Sequence, residues 1–84
     1  MDRAAAIEHL KNILEPYVAN QEAFERLTEN SNFLSDLEIN SSNLVDIVLD
    51  VEEAFNIVID NQSMEKMLTV KAALDIIETK LAEQ

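Results

Sequence analysis

The residues of this chain that could carry chemistry are few. The sequence holds no cysteine and a single histidine, His9. Neither a thiolate nucleophile nor a histidine-based metal site or triad can therefore be assembled. With no glycine there is also no glycine-rich loop to cradle a phosphate. What the chain does offer is Asn40-Ser41-Ser42-Asn43, directly ahead of a segment carrying Asp46, Asp50, Glu52 and Glu53. A hydroxyl at the head of a helix has two uses. It can accept a backbone N–H and cap the helix. It can also be displayed, where the unpaired N–H groups and the positive end of the helix suit an anionic adduct such as a phosphodiester. Residue types alone make capping the default.

The elements that must present these hydroxyls read as helices. Asp2 is placed to cap a first helix, along which Ile7, Leu10, Ile13, Leu14, Tyr17 and Val18 form one apolar face. Pro16 interrupts it, so its end falls between Glu15 and Asn20. From Asn20 to Asn40 the periodicity loosens into a long loop with scattered apolar anchors, Phe33, Leu37 and Ile39 among them, and one short helical turn around residues 22–27. The second helix is expected over about Ser41 to Phe55, with Leu44, Ile47, Val48, Val51 and Phe55 on its core face. Asn56 can end it in a left-handed conformation. Ile57-Val58-Ile59 reads as a buried connector, Asp60 or Asn61 caps a short third helix through about Met67, and Thr69 caps a fourth. The expectation is an all-α, small four-helix bundle: three longer helices, one short helix, and a long loop between helices 1 and 2. With 84 residues a single domain over 1–84 is expected.

Charge narrows the partners. Seventeen acids face six Lys and Arg residues, and no base occurs between Arg26 and Lys66. Such a surface repels nucleic acid and anionic lipid and steers basic proteins toward itself. Neither a signal-peptide apolar region nor an apolar run of roughly 20 residues is present, so a cytoplasmic protein without membrane insertion is expected. A calcium-binding loop would need a central glycine and alternating ligands, which this chain lacks. A self-contained hydrolase or transferase fails on inventory: no cysteine, no second histidine, no glycine-rich phosphate loop and no obvious buried acid pair. No catalytic residue and no metal ligand is assigned.

Several short motifs, in order, tip the balance at the serines. Phe33-Leu34-Ser35-Asp36-Leu37-Glu38-Ile39-Asn40-Ser41-Ser42, then Glu52-Glu53-Ala54-Phe55, Ile57-Val58-Ile59-Asp60, Glu65-Lys66-Met67 and Leu68-Thr69-Val70 resemble the acyl carrier protein family. That family's pattern runs roughly Phe-x-x-Asp-Leu-Gly-x-Asp-Ser-Leu, then an acidic helix ending Glu-Glu-x-Phe. The register places Ser41, not Ser42, at the family's attachment position for 4′-phosphopantetheine. The resemblance implies a non-catalytic carrier. Its arm would be donated from coenzyme A by a phosphopantetheinyl transferase, and acyl intermediates would be held on it as thioesters for biosynthetic enzymes. It further implies a monomer that meets the basic patches of loading and transferring enzymes through Asn40, Ser42, Asn43, Val45, Asp46, Leu49, Asp50, Glu52 and Glu53. Val48, Ile59, Met64, Met67 and Leu68 would line a pocket for the acyl chain, although Met64 and Met67 read equally as core fillers.

The chain departs from the family pattern at the centre of the motif. Glu38 stands for the usual glycine, Asn40 for aspartate, Ser42 for leucine and Asn43 for a frequent aspartate. These changes point to a specialised carrier of a lipid or secondary-metabolite pathway. They also leave an alternative: a carrier-fold interaction domain that is never phosphopantetheinylated.

Overall fold

The structure, a computed structural model, describes residues 2–83. Among the described residues there are five α-helices: α1 (Arg3–Leu14), α2 (Gln21–Glu25), α3 (Leu44–Phe55), α4 (Asn61–Lys66) and α5 (Val70–Ala82). No strand occurs among the described residues; one isolated antiparallel bridge joins Asn32 to Thr69. The three long helices carry the bundle. α1 packs on both α3 and α5, and α4 leans on α5. The expected turn near residue 22 is the short helix α2.

Local sequence explains the boundaries. The Asp2 carboxylate accepts the Ala4 N–H at 3.0 Å, the Asn20 amide oxygen accepts from Ala23 at 3.1 Å, and Asp60 and Thr69 cap α4 and α5 from Ser63 and Ala72 N–H. Pro16, which cannot donate a hydrogen bond, falls in a 3₁₀ turn, Glu15–Tyr17, that ends α1. Asn56 closes α3 at φ 55°, in the left-handed region, which asparagine tolerates better than most residues with a Cβ.

A single hydrophobic cluster runs through the molecule. Leu10 and Leu14 of α1, Ile47 and Val51 of α3, and Val70, Leu74 and Ile77 of α5 meet Phe33, Leu37, Ile39, Ile57, Ile59 and Met67 from the connections. The long loop is thus held by its apolar anchors. Burying a side chain such as Phe33 or Leu37 contributes roughly 1.5–3 kcal/mol each.

Backbone bonds fasten the same loop to the start of α5. Ser31 and Glu29 carbonyls accept the Val70 and Lys71 N–H groups at 3.1 and 2.8 Å, and the Leu68 carbonyl accepts from Phe33 at 2.8 Å. Two of the amides a helix start leaves unpaired are satisfied in this way. Arg3 adds a clamp, its guanidinium lying 2.8 Å from Glu29 and 2.9 Å from Glu78.

Candidate functional site

The site is built where the anchored loop turns into α3. Leu37 and Ile39 are buried on either side of exposed Glu38. The Leu37 carbonyl accepts N–H groups from both Ala19 and Asn20, and the Ile39 N–H donates to the Phe33 carbonyl at 2.9 Å. Asp36 is occupied too, its carboxylate accepting the Asn32 N–H at 2.7 Å. Residues 36–39 are therefore fixed against the core, and Asn40 emerges at the surface.

The helix does not begin as one continuous α segment at Ser41. Ser41–Asn43 form a 3₁₀ turn, and α3 proper starts at Leu44. The cause is Asn40. Its amide oxygen accepts both the backbone N–H and the hydroxyl of Ser42, each at 2.9 Å, while its carbonyl accepts the Asn43 N–H at 2.9 Å. These short-range bonds close a tighter turn than an α-helix makes.

The two serines are consequently unlike. The Ser42 hydroxyl is spent on Asn40. The Ser41 hydroxyl is exposed and makes no hydrogen bond among the described residues. Capping, the default for a serine in such a place, is performed here by Asn40.

Along α3 the exposed side carries Val45 and Leu49, 51% and 56% exposed, with Asp46, Asp50 and Glu53 beside them. Val58 and Leu68, the other exposed large apolar side chains among the described residues, lie in connections and not on a helix. The acids do not share one state. Asp50 accepts a hydrogen bond from the Tyr17 hydroxyl at 3.1 Å. That bond is the main reason the phenol is held above its ordinary pKa, with burial and the charges of Asp50 and Asp46 adding to it. Glu52 is half-buried, and its carboxylate accepts the Ile59 N–H at 2.7 Å. Asp46 and Glu53 make no hydrogen bond or ion pair among the described residues.

Of the side chains expected to wall a pocket, Val48, Ile59 and Met67 are buried in the common core, Met64 is half-buried against it, and Leu68 is 37% exposed. Two surface hollows occur elsewhere. One, of about 440 Å³, is lined by Asn20, Glu22, Ala23, Arg26, Ser31 and Asp36. The other, of about 180 Å³, lies between α4 and α5 against Ser63, Lys66, Asp75, Ile76, Thr79 and Lys80. No group of three or more metal-ligating side chains is assembled among the described residues. No helix there is long and apolar enough to cross a membrane.

Two internal bonds of this region were not foreseen from the sequence: Tyr17, read as an apolar-stripe residue, donates to Asp50, and Glu52, assigned to the docking face, accepts from Ile59. Neither contact carries a periodic signal, because each joins segments that meet only once the chain has folded.

Comparison with known proteins places the chain beside small bacterial carriers. It is 37% identical to the acyl carrier protein of Coprothermobacter proteolyticus over 81 residues, covering 96% of both chains. Identity to the acyl carrier protein of Rubrobacter xylanophilus is 31% over 77 residues, 92% of this chain and 93% of the other. The acyl carrier protein of Buchnera aphidicola matches at 36% over 56 residues, 67% of this chain and 71% of the other. No protein-family model matches the chain.

Proposed function

The chain belongs to the acyl carrier protein family, and from that premise we propose that Ser41 is the hydroxyl to which a 4′-phosphopantetheine arm is attached. The observation that carries this reading is the division of labour in the turn. Asn40 does the capping and Ser42 is tied to it, while Ser41 is left exposed with a free hydroxyl. A phosphodiester on that oxygen would sit at the amino end of the Ser41–Asn43 turn and α3. The helix dipole there favours an anion by about 0.3–1 kcal/mol.

When bound, the arm supplies a terminal thiol that holds an acyl group as a thioester. The chain's own residues do the rest of the work. Leu37 and Ile39 fix the approach to the turn, Asn40 shapes it, and α3 presents the surface by which acyl-handling enzymes recognise the carrier. Val45 and Leu49 are the apolar centre of that surface, with Asp46 and Glu53 as its free charges. Met64, half-buried at the core boundary, and Met67, within the core, are the adaptable side chains whose displacement would admit an acyl chain. The carrier performs no catalysis in this scheme. It acts in the cytoplasm as a single domain over 1–84, as a monomer between successive enzymes.

Intact mass spectrometry after incubation with coenzyme A, Mg²⁺ and a broad-specificity phosphopantetheinyl transferase tests the assignment. The wild-type protein and Ser42→Ala should gain one phosphopantetheine, and Ser41→Ala none. A wild-type protein that stays bare while a known carrier is loaded in parallel would leave the unmodified interaction domain as the better account.

A further inference from the structure

Glu38 is the residue whose backbone the fold strains and whose side chain the fold does not use. Its φ is 55°, and Asn56 is the other non-glycine residue described with a positive φ. Asparagine visits this region with a short side chain that can bond locally; glutamate has no such compensation, and its Cβ crowds the following carbonyl. The conformation is imposed from both sides. Leu37 and Ile39 are buried, the Leu37 N–H donates to the Asn32 carbonyl at 3.0 Å, and the Ile39 N–H is bonded to Phe33. Any residue at position 38 would be bent outward in the same way.

The side chain so displayed is exposed, with no hydrogen bond or ion pair among the described residues. Its neighbours differ from it. The Asp36 carboxylate already accepts the Asn32 N–H on one oxygen, and Asn40 is neutral with its amide oxygen committed to Ser42. Between Asp36 and Asp46, Glu38 is the sole carboxylate in the chain. It stands three residues before Ser41, hence within about 11 Å of it along the backbone. An enzyme reaching for the Ser41 oxygen therefore meets, on the upstream side of the turn, a carboxylate without an internal partner, carried on a Cα–Cβ bond whose direction the anchored backbone sets.

We propose that Glu38 is a specificity-determining residue for the modification of Ser41, its carboxylate receiving a lysine or arginine of the phosphopantetheinyl transferase. The proposal rests on the assignment of Ser41 as the attachment residue. The burial of Leu37 and Ile39 holds the strained backbone, while the Glu38 side chain makes no hydrogen bond or ion pair among the described residues, which leaves its charge for a contact outside, one that the neutral Asn40 does not provide.

The test compares wild-type protein, Glu38→Gln and Glu38→Gly as substrates of a broad-specificity phosphopantetheinyl transferase with coenzyme A and Mg²⁺. Time courses of intact mass give KM for the carrier and kcat, at low salt and at several-fold higher salt. Melting temperatures are recorded alongside. Glu38→Gln should raise KM about two- to five-fold at low salt, the factor an exposed ion pair carries, with kcat unchanged. The gap should close as salt screens the pair. Glu38→Gly should show the same loss of recognition while melting at a higher temperature, because glycine accepts the left-handed conformation freely. Stability and loading would then move in opposite directions, which a merely structural role could not produce. Equal KM values for wild type and Glu38→Gln at low salt would overturn the proposal and leave Ser41 as the attachment residue. Absence of loading on wild-type protein, with a known carrier loaded in parallel, would overturn the Ser41 assignment itself.

Discussion

Replacing Asn40 by alanine should destabilise the protein by about 1 kcal/mol, and replacing Ser41 by alanine should change almost nothing. The difference is worked from the turn. The Asn40 amide oxygen accepts two hydrogen bonds at 2.9 Å, from the N–H and hydroxyl of Ser42. Removing a side-chain cap of this kind typically costs about 0.5–2 kcal/mol. Exposure of the turn to water keeps the figure below the upper end, since solvent can replace part of what is lost. The Ser41 hydroxyl bonds to nothing in the described protein, so its removal leaves no group unsatisfied. Ser42→Ala should fall between them, because the hydroxyl bond goes while the backbone N–H bond stays. Asn40→Asp should behave like wild type or slightly better, since a carboxylate accepts the same bonds and its charge suits the start of a helix. Urea unfolding followed by circular dichroism is the assay. For a protein of this size the slope is near 1 kcal/mol per molar urea, so Asn40→Ala should lower the midpoint by roughly 1 M. Its melting temperature should fall by about 4–8 °C. If Ser41→Ala lowered the midpoint as much as Asn40→Ala with the slope unchanged, the hydroxyl would be a cap and the argument for its display would fail.

Removing the Glu52 carboxylate, by Glu52→Ala, should destabilise the fold by roughly 1.5–3 kcal/mol, as expected for a hydrogen bond to a charged group whose partner lies beside the core. Hydrogen exchange at the Ile59 amide should accelerate, and unchanged protection there would show that the 2.7 Å contact does not hold the connector. A pH dependence follows from Asp60, whose carboxyl is held below its ordinary pKa by the Ser63 hydroxyl first, then by the Ser63 N–H and the nearby Lys80. Because the folded value lies below the unfolded one, its contribution is complete above the ordinary carboxylate range and disappears as pH falls through that range to the lower folded value. Stability measured from neutral pH downward should decline over that interval, less steeply in Asp60→Asn, and identical acid limbs for the two proteins would contradict the linkage.

How much of this could be read from the residues alone depends on the range of the interaction. The long helices were legible because Leu44, Ile47, Val48 and Val51, or Leu10 and Leu14, repeat at helical spacing. The caps at Asp2, Asp60 and Thr69 were legible because a cap bonds two or three residues away. Asn56 belongs with them, as the residue best able to end α3 where no glycine exists. The start of α3 was misjudged by three residues. Two acceptors compete there, and the winner, Asn40, draws Ser42 into a 3₁₀ turn that apolar periodicity does not report. The interior of the loop was opaque for a related reason. Asn32 accepts from both Leu34 and Ser35 N–H groups, and Asp36 reaches back to Asn32, bonds whose pattern has no repeat. Resemblance located position 38 as one where glycine is usual. That this chain nevertheless places Glu38 at a positive φ follows only from the simultaneous burial of its two neighbours.

The same distinction bears on how α3 could recognise a partner. By helical position its acids look equivalent, and a count of charges would assign all of them to docking. The fold separates them. Glu52 and Asp50 already hold internal partners, on Ile59 and Tyr17. For either to form a close pair with a lysine or arginine, that bond would have to be shared or broken, which offsets the about 0.2–1 kcal/mol an exposed pair provides. Their charge still contributes to the long-range field, which falls off over about 8 Å at physiological salt and governs the rate of encounter more than the final affinity. Asp46 and Glu53 carry no such obligation, and they stand beside Val45 and Leu49. On the proposed docking face, then, steering belongs to the whole acidic helix. Contact belongs to a narrower strip, two apolar side chains with two free carboxylates next to them, and substitutions within that strip should slow partner dissociation or speed it far more than changes at Glu52 or Asp50 that leave their internal bonds intact.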